Sequence, residues 1–532
     1  MQYYQNILYH QSVEIETMLD VNEQKFDQLD ILIFPSSATD INNTLASIIE
    51  FQNSSIVRRV YFIDQNENNF GLSNVYTIKN FQSYFSENSK DLKRPLLLIN
   101  AGDQLYEKSV QVFLRTEQSI DIAYCDTDQV EKHTRSNPSL FPDWNPDLQL
   151  TTAYINSGVL LNKVEIFKDL IVEKSIESIA ELMAIAWLKM PNIKVQHISY
   201  VLVNHKQENK LLKQILSKIG RYLTEIGANV SYEKDAAVNN ISWPVNGQKL
   251  VSIIIPTKNH HELVENCINS ILTKTSYKNY EILLVDNNSD DPQSIKSFER
   301  LAQNESVTLL QYPYPFNFSA INNFAVNHAR GDVIAFINND VEIIQSNWLD
   351  LMLGQSLRSD IGCVGAKLLY GDGRVQHAGV VLGYGGGAGH AHKYFPRYHA
   401  GYLKRLVASH NFLAVTAACL LVEKSIFNEA GGFNEKDLAI AFNDVDFCLK
   451  VNQLGFRNLY CADVEFYHHE SVSRGLDVTK EKRARFLHEL AFLQEQWKDH
   501  IQHDLSYHRF LTLKRENFSL KSTEELNTPQ IN

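Results

Sequence analysis

The chain has 532 residues, too many for one ordinary core, and implies two to four domains. Hydrophobic residues make up 44% and charged residues 21%, which excludes a disordered chain. A formal charge of -12 argues against a nucleic-acid partner, because phosphate neutralisation needs clustered Lys and Arg.

The opening MQYYQNILYHQSVEIE has neither a basic start nor an apolar run, so no signal peptide is expected. No segment approaches roughly 18 consecutive apolar residues, so no membrane span is expected and the chain reads as cytoplasmic. The cysteines (Cys125, Cys267, Cys363, Cys419, Cys448, Cys461) are scattered, with no CxxC pair. Buried reduced thiols are the expectation; zinc or disulfide use is the alternative.

In chain order, DILIFPSS, RRVYFIDQN, RPLLLINAGD and SGVLLNKVEIF are the apolar runs of the first half. YEKDAAVNNISWPVNGQK is polar and turn-rich, with Pro244 and Gly247, and reads as a linker over 236–248. VSIIIPT follows, a continuous β-branched run with the signature of a buried parallel strand. Next come a helical stretch, ELVENCINSILTKT, and two further strands, YEILLVDNNSDD and GDVIAFINND, both ending in polar residues. This alternation predicts a doubly wound α/β sheet, with ligands at the carboxyl ends of its strands. Those ends are residues 257–259, 286–289 and 338–340.

The first-half runs match VSIIIPTK, YEILLVDNN, DVIAFINND and AACLLVEKSIF in the same order. Asp64 lies 29 residues after Pro35, and Asp286 lies 30 after Pro256. The later spacings diverge. The order predicts an internal duplication: a domain over 1–235, the linker, a second domain over 249–477, and a C-terminal helix and tail over 478–532. In that helix Phe486, Leu490, Leu493 and Trp497 share one face. Packing on the domain is the expectation; the basic start at 480–485 keeps a peripheral membrane contact as the alternative. The last twenty or so residues are polar and read as mobile.

Four motifs carry candidate chemistry. Asn338-Asn339-Asp340 closes an apolar strand, with Glu342 two residues on; Asp340 is either a cation ligand or a helix cap. Asp444 and Asp446 open a helix, as a general base or as first-turn acids favoured by the helix dipole. The pair His468 and His469 follows an apolar run and is a candidate for metal. The loop 383–392, GYGGGAGHAH, looks like a dinucleotide fingerprint but is followed by HKYFPRYHAGY, which is not a helix. A lid or acceptor loop with exposed histidines is the better reading.

VSIIIPTKN, YEILLVDNNSDD, PFNFSAINNFAVNHARGDVIAFINND, VQHAGVVLG, AVTAACLLVEKSIFNEAGGF, AFNDVDFCLK and YHHESVSRG together resemble family-2 glycosyltransferases of the GT-A fold. More narrowly, they resemble two-domain bacterial members associated with O-antigen, rhamnan and other surface polysaccharides. The resemblance is dense over 251–474 and loose over the first half.

The resemblance implies two tandem GT-A-like, Rossmann-like domains. It implies an inverting transferase that moves a sugar from a nucleoside-diphosphate donor, a UDP- or dTDP-sugar, to a growing surface polysaccharide or lipid-linked glycan at the inner face of the plasma membrane. A non-catalytic nucleotide-sugar or glycan-binding scaffold is the alternative. By the same resemblance Pro256, Thr257, Asn259, Asp286 and Asn288 match nucleotide-binding strand ends, and Asn323, Asn338 and Asn339 add polar contacts. Asp340 and His468 match the ligands of Mg²⁺ or Mn²⁺, with His469 as fallback. Asp444 matches the catalytic base, with Asn443 where Glu is usual. The AWLK/FCLK match sets Met183 opposite Asp444 and Ile185 opposite Asp446. The N-terminal domain is therefore expected not to catalyse, although Asp64, Asp103, Asp126, Asp128 and His205 remain in it.

Overall fold

The computed structural model describes residues 2–35, 41–64, 73–88, 92–131, 134–205, 209–245, 247, 249–469 and 479–527. The end of the His468 motif from Glu470 to Arg474 lies outside them. The chain divides into two compact units. One is Met1–Leu223 with Tyr507–Thr512 and Ser519–Asn532; the other is Thr224–Ser506 with Leu513–Phe518.

The first unit is built on β1 (Leu29–Phe34), β2 (Val57–Ile63), β3 (Val75–Ile78), β4 (Leu96–Asn100), β5 (Gln104–Leu105), β6 (Ile122–Glu131), β7 (Thr134–Ser139), β8 (Val159–Leu161) and β9 (Val195–Asn204). Their order is β3-β2-β1-β4-β8-β6-β9-β5, with β7 on β6. The second unit opens with a hairpin, β10 (Asn229–Glu233) and β11 (Val238–Ser242). Its main strands are β12 (Val251–Thr257), β13 (Tyr280–Asp286), β14 (Val307–Gln311), β15 (Val333–Ile337), β16 (Val341–Ile343), β17 (Ile361–Leu369) and β18 (Val375–His377). A small hairpin, β19 (Val380–Leu382) and β20 (Ala388–His390), precedes β21 (His410–Phe412), β22 (Cys419–Glu423) and β23 (Arg457–His468). The sheet order is β14-β13-β12-β15-β22-β17-β23-β16, with β18 on β17.

Along these paths the two orders agree strand for strand, so the duplication read from four short runs extends across the sheet; among the described strands of these two sheets only β21, which pairs with β23, has no counterpart. β1 and β12 are buried along almost their entire length, which explains why they read as unbroken apolar runs rather than alternating ones. In the second unit β12, β13 and β15 run parallel, and helix His261–Lys274 packs Val264, Cys267, Ile268 and Ile271 into the core. Parallel register sets Thr257 beside Asp286 at the strand ends. Antiparallel pairing of β16 with β23 sets Val341 opposite His468.

Four expectations are corrected. Most of the predicted linker is the β10–β11 hairpin and its exit. Val238 and Ile241 are buried, the Ile241 carbonyl accepts from Gln355 Nε2 at 2.8 Å, and Gly354 lies against the Trp243 carbonyl. Two buried apolar side chains among polar neighbours are too sparse to read as a strand. The last twenty residues, expected to be mobile, are tied down as far as residue 521: Phe518 is buried, Thr512 N–H bonds the Ser519 carbonyl, and Lys521 N–H bonds the Phe510 carbonyl. The loop 383–392 does not expose its histidines. His392 is fully buried against Phe518 and His390 is half-buried. Finally, the helix starts shift the AWLK/FCLK pairing. Ala180 is the second residue of Ile179–Lys189, as Asp444 is of Asn443–Gln453, while Met183 is buried further along.

The helix Lys480–Gln496 packs its apolar face on the second unit. Phe486 lies against Phe442, Leu493 and Trp497 are buried, and Glu489 accepts the Ile440 and Ala441 N–H groups. All six cysteines are buried and free. Among the described residues no helix is long and apolar enough to cross a membrane.

Candidate active site

The site begins where β15 stops. Asn338 N–H donates to the Ala418 carbonyl at 3.1 Å, so the 338–340 turn lies against the segment that leads into β22. The same segment holds Asp444. Its Oδ2 accepts Ala417 N–H at 3.1 Å, and its Oδ1 accepts Val445 N–H at 2.9 Å. Burial pushes the Asp444 carboxyl above its ordinary range; the Ala417 N–H and the Thr416 hydroxyl pull it part of the way back. A cavity of about 410 Å³ opens here, lined by Asn338, His390, Lys393, Thr416, Asp444 and His468 among others.

The two acids of the FNDVD segment have separate work. Asp444 faces the cavity. Asp446 is buried, accepts the Trp497 indole N–H at 2.9 Å and pairs with Lys450 at 2.7 Å. It fastens the C-terminal helix.

The two histidines also diverge. His469 turns to Glu342 at 3.4 Å and is partly exposed. His468 Nε2 lies 3.1 Å from Asp340 Oδ1, and the Asn338 amide is 3.3 Å from the same nitrogen. His468 Nδ1 is 2.5 Å from Gln376 Oε1, an acceptor, so Nδ1 carries the proton and Nε2 presents its lone pair. This outer amide fixes the tautomer a metal-ligating imidazole needs. Two ligand atoms about 3 Å apart suit neighbouring positions on one divalent cation at roughly 2.1 Å. The residues therefore fit such an ion.

The expected nucleotide residues form a neighbouring cluster at the strand ends. Asn259 and Asn288 both have positive φ, near 55°, and shape the loops after β12 and β13. Asn259 Oδ1 accepts the Asp290 and Asp291 N–H groups, and Asp286 Oδ1 accepts Ser289 N–H. Pro256 lies beside Val285, and Thr257 Oγ1 accepts the Asn339 amide at 2.9 Å, which ties this cluster to the 338–340 turn. Asn323 stands apart: its side chain bonds both the N–H and the carbonyl of Phe433.

Sequence reasoning gave no role to Gln376 or His377, and placed His390 only among the exposed histidines of a lid or acceptor loop. His377 Nε2 accepts Gly379 N–H at 3.3 Å, so its Nδ1–H donates to His390 Nδ1 at 2.7 Å. The remaining His390 proton is then on Nε2. Burial, and beyond it His390 and His468, holds His377 well below the usual imidazole range; burial, Lys393 and His468 lower His390 to about 4. Gly379 has φ 94°, and a Cβ there would meet the Phe412 ring at 2.1 Å, so this turn requires glycine. The VQHAG run was the available signal.

A further acid–imidazole group, Asp126, His197 and His508, is buried in the first unit. His197 holds a carboxylate on each nitrogen, Asp126 at 2.9 Å and Asp143 at 3.0 Å. Burial would lower its pKa, but the two acids outweigh this and push it up to about 9. Phe510 N–H donates to His508 Nδ1, so His508 Nε2–H donates to Asp126. Every ring nitrogen is engaged, and the group acts as a closed pin for the tail.

Residues 252–428 match the model of Glycosyl transferase family 2. The C-terminal unit carries a family-2 glycosyltransferase domain. An uncharacterized protein of Sinorhizobium fredii is 37% identical over 75% of this chain and 46% of its own length. The O-antigen biosynthesis protein RfbC of Myxococcus xanthus is 30% identical over 69% of this chain and 30% of its own length. The chain thus spans less than half the length of either relative. Among solved structures, a mannosyltransferase of Pyrobaculum calidifontis, in complex with GDP-Man and Mn²⁺, is 15% identical. It covers 53% of this chain and 72% of its own, with a TM-score of 0.36.

Proposed function

We propose that the second unit transfers a sugar, with inversion, from a nucleoside-diphosphate donor to a hydroxyl of a surface polysaccharide or lipid-linked glycan. The observation that carries this reading is that Asp444 and His468 line one cavity with Asn338 and Thr416, which belong to the stretch 252–428 matched by the family-2 model. Two backbone N–H groups hold the Asp444 carboxylate, and burial keeps it a better proton acceptor than a surface aspartate. The carboxylate takes the proton of the acceptor hydroxyl. The freed oxygen bonds the anomeric carbon as the bond to the diphosphate breaks, and the electron pair leaves with the diphosphate.

Asp340 and His468 would hold Mg²⁺ or Mn²⁺, which when bound supplies neutralisation of the departing diphosphate. Asp286, Asn288 and Asn259 frame the end taken by the nucleoside of a UDP- or dTDP-sugar. The likeness to an O-antigen biosynthesis protein supports a surface-glycan acceptor. Phe486 and Leu493 of Lys480–Gln496 pack inward, which leaves its basic start and the exposed Leu487 for a membrane surface.

The test is a panel of nucleotide sugars with Mn²⁺, assayed for nucleoside-diphosphate release with and without a lipid-linked glycan. Acceptor-dependent release, abolished by EDTA, is the expected result. Binding without release from any donor would instead identify a scaffold.

A further inference from the structure

The strand-end cleft of the N-terminal unit takes no part in the chemistry above. It is a cavity of about 640 Å³, within the range of small-molecule sites. Pro35, Asp64, Asn100 and Asp103 line it at the carboxyl ends of β1, β2 and β4, the position at which doubly wound sheets take their ligands.

Its polar end repeats a relationship seen in the second unit. Asp103 stands three residues past β4 and directly before β5; Asp340 stands three past β15 and directly before β16. β5 pairs with β9, which His205 follows, and β16 pairs with β23, which ends on His468. Both sheets therefore bring an aspartate and a histidine together at the same place. In the N-terminal cleft His205 Nδ1–H donates to Asp103 Oδ1 at 2.7 Å, which leaves the lone pair on Nε2. That Nε2 is buried and has no hydrogen-bond partner among the described residues. A buried nitrogen in that state calls for a ligand group or an ion.

The acids nearby already have partners. Asp103 Oδ2 accepts Asn100 N–H and the Ser157 hydroxyl, and Glu177 pairs with Lys218. Lys79 adds a cation to the lining, and Phe62 and Ile176 add apolar surface suited to a base. The group a transferase would need is missing. Where Asp444 stands in the second unit, the helix start here offers Ala180, which also lines the cavity.

We propose that this cleft is a second nucleoside-diphosphate site, which binds its ligand without transferring a sugar. The diphosphate end, with its divalent cation, lies at His205 Nε2. The proposal holds whether or not Asp444 is the base of the other unit.

Calorimetry on the full chain with UDP, dTDP, GDP and CDP, each with Mn²⁺, tests it. The cognate nucleotide is expected to bind at two per chain. Asp340→Ala with His468→Ala removes one; His205→Ala or the milder His205→Gln removes the other. In the Asp340→Ala/His468→Ala chain, the nucleotide still slows amide exchange over 176–180 and 200–205. A stoichiometry of one that vanishes in that chain would overturn the proposal. So would unchanged binding in both His205 variants of a chain shown by circular dichroism to be folded. Binding in that chain of an oligosaccharide but of none of the four nucleotides would make the cleft a glycan site. A wild-type chain that binds two nucleotides yet transfers no sugar to any acceptor would count against the transferase reading of the other unit alone.

Discussion

His468 Nε2 lies 3.1 Å from Asp340 Oδ1, and it can present a lone pair there because Gln376 accepts the proton of the other ring nitrogen. The aspartate comes from the turn between β15 and β16, the histidine from the end of β23, and the glutamine from β18. Three separated stretches of chain thus fix one tautomer.

This predicts a measurable role for an amide that touches neither substrate nor ion. Gln376→Ala should weaken activation by Mn²⁺ about 10- to 100-fold, the usual loss when an outer partner of a ligating histidine is removed. Titrating activity against Mn²⁺ checks it, and an unchanged half-activation concentration would show that Gln376 does not set the tautomer.

Asp444 and Asp446 should separate cleanly on mutation. Asp446→Ala, or Trp497→Phe, removes one partner of a buried hydrogen bond and should lower stability by about 1–3 kcal/mol with little change in turnover. Chemical denaturation and initial rates measure the two effects side by side.

The pH profile should carry the raised pKa of Asp444. A base is inactive when protonated, so kcat/KM should fall on acidification with a midpoint above that of an ordinary aspartate. His377 and His390 are held below the usual imidazole range and should add no limb near pH 6.5.

Those two histidines should instead appear in stability. Unfolded, each titrates near 6.5; folded, His390 does so only near 4. As pH falls from 6.5 towards 4 the unfolded state binds protons that the folded state refuses, so stability is lost. For His390 the loss is on the order of 3 kcal/mol. Melting temperature across that range should drop more steeply in the wild type than in His377→Asn/His390→Asn.

The fold was legible because its parallel strands are buried on both faces and read as unbroken apolar runs. Asp340, Asp444 and His468 were legible because each sits at the end of a regular element. The β10–β11 hairpin was not, because only Val238 and Ile241 mark its buried side. Gln376, His377 and His390 were hidden for another reason. Their meaning lies in contacts across 13 to 92 residues of chain, and spacing does not display tautomers. The helix register that puts Ala180 opposite Asp444 also needed the caps, since AWLK and FCLK align three residues away from it.

The most direct test of the central claim is Asp444→Asn, assayed for sugar transfer and, by calorimetry, for donor binding. Transfer should fall at least about 100-fold while donor affinity stays within a factor of a few. Near-normal transfer by the folded variant would contradict the assignment of Asp444 as the base.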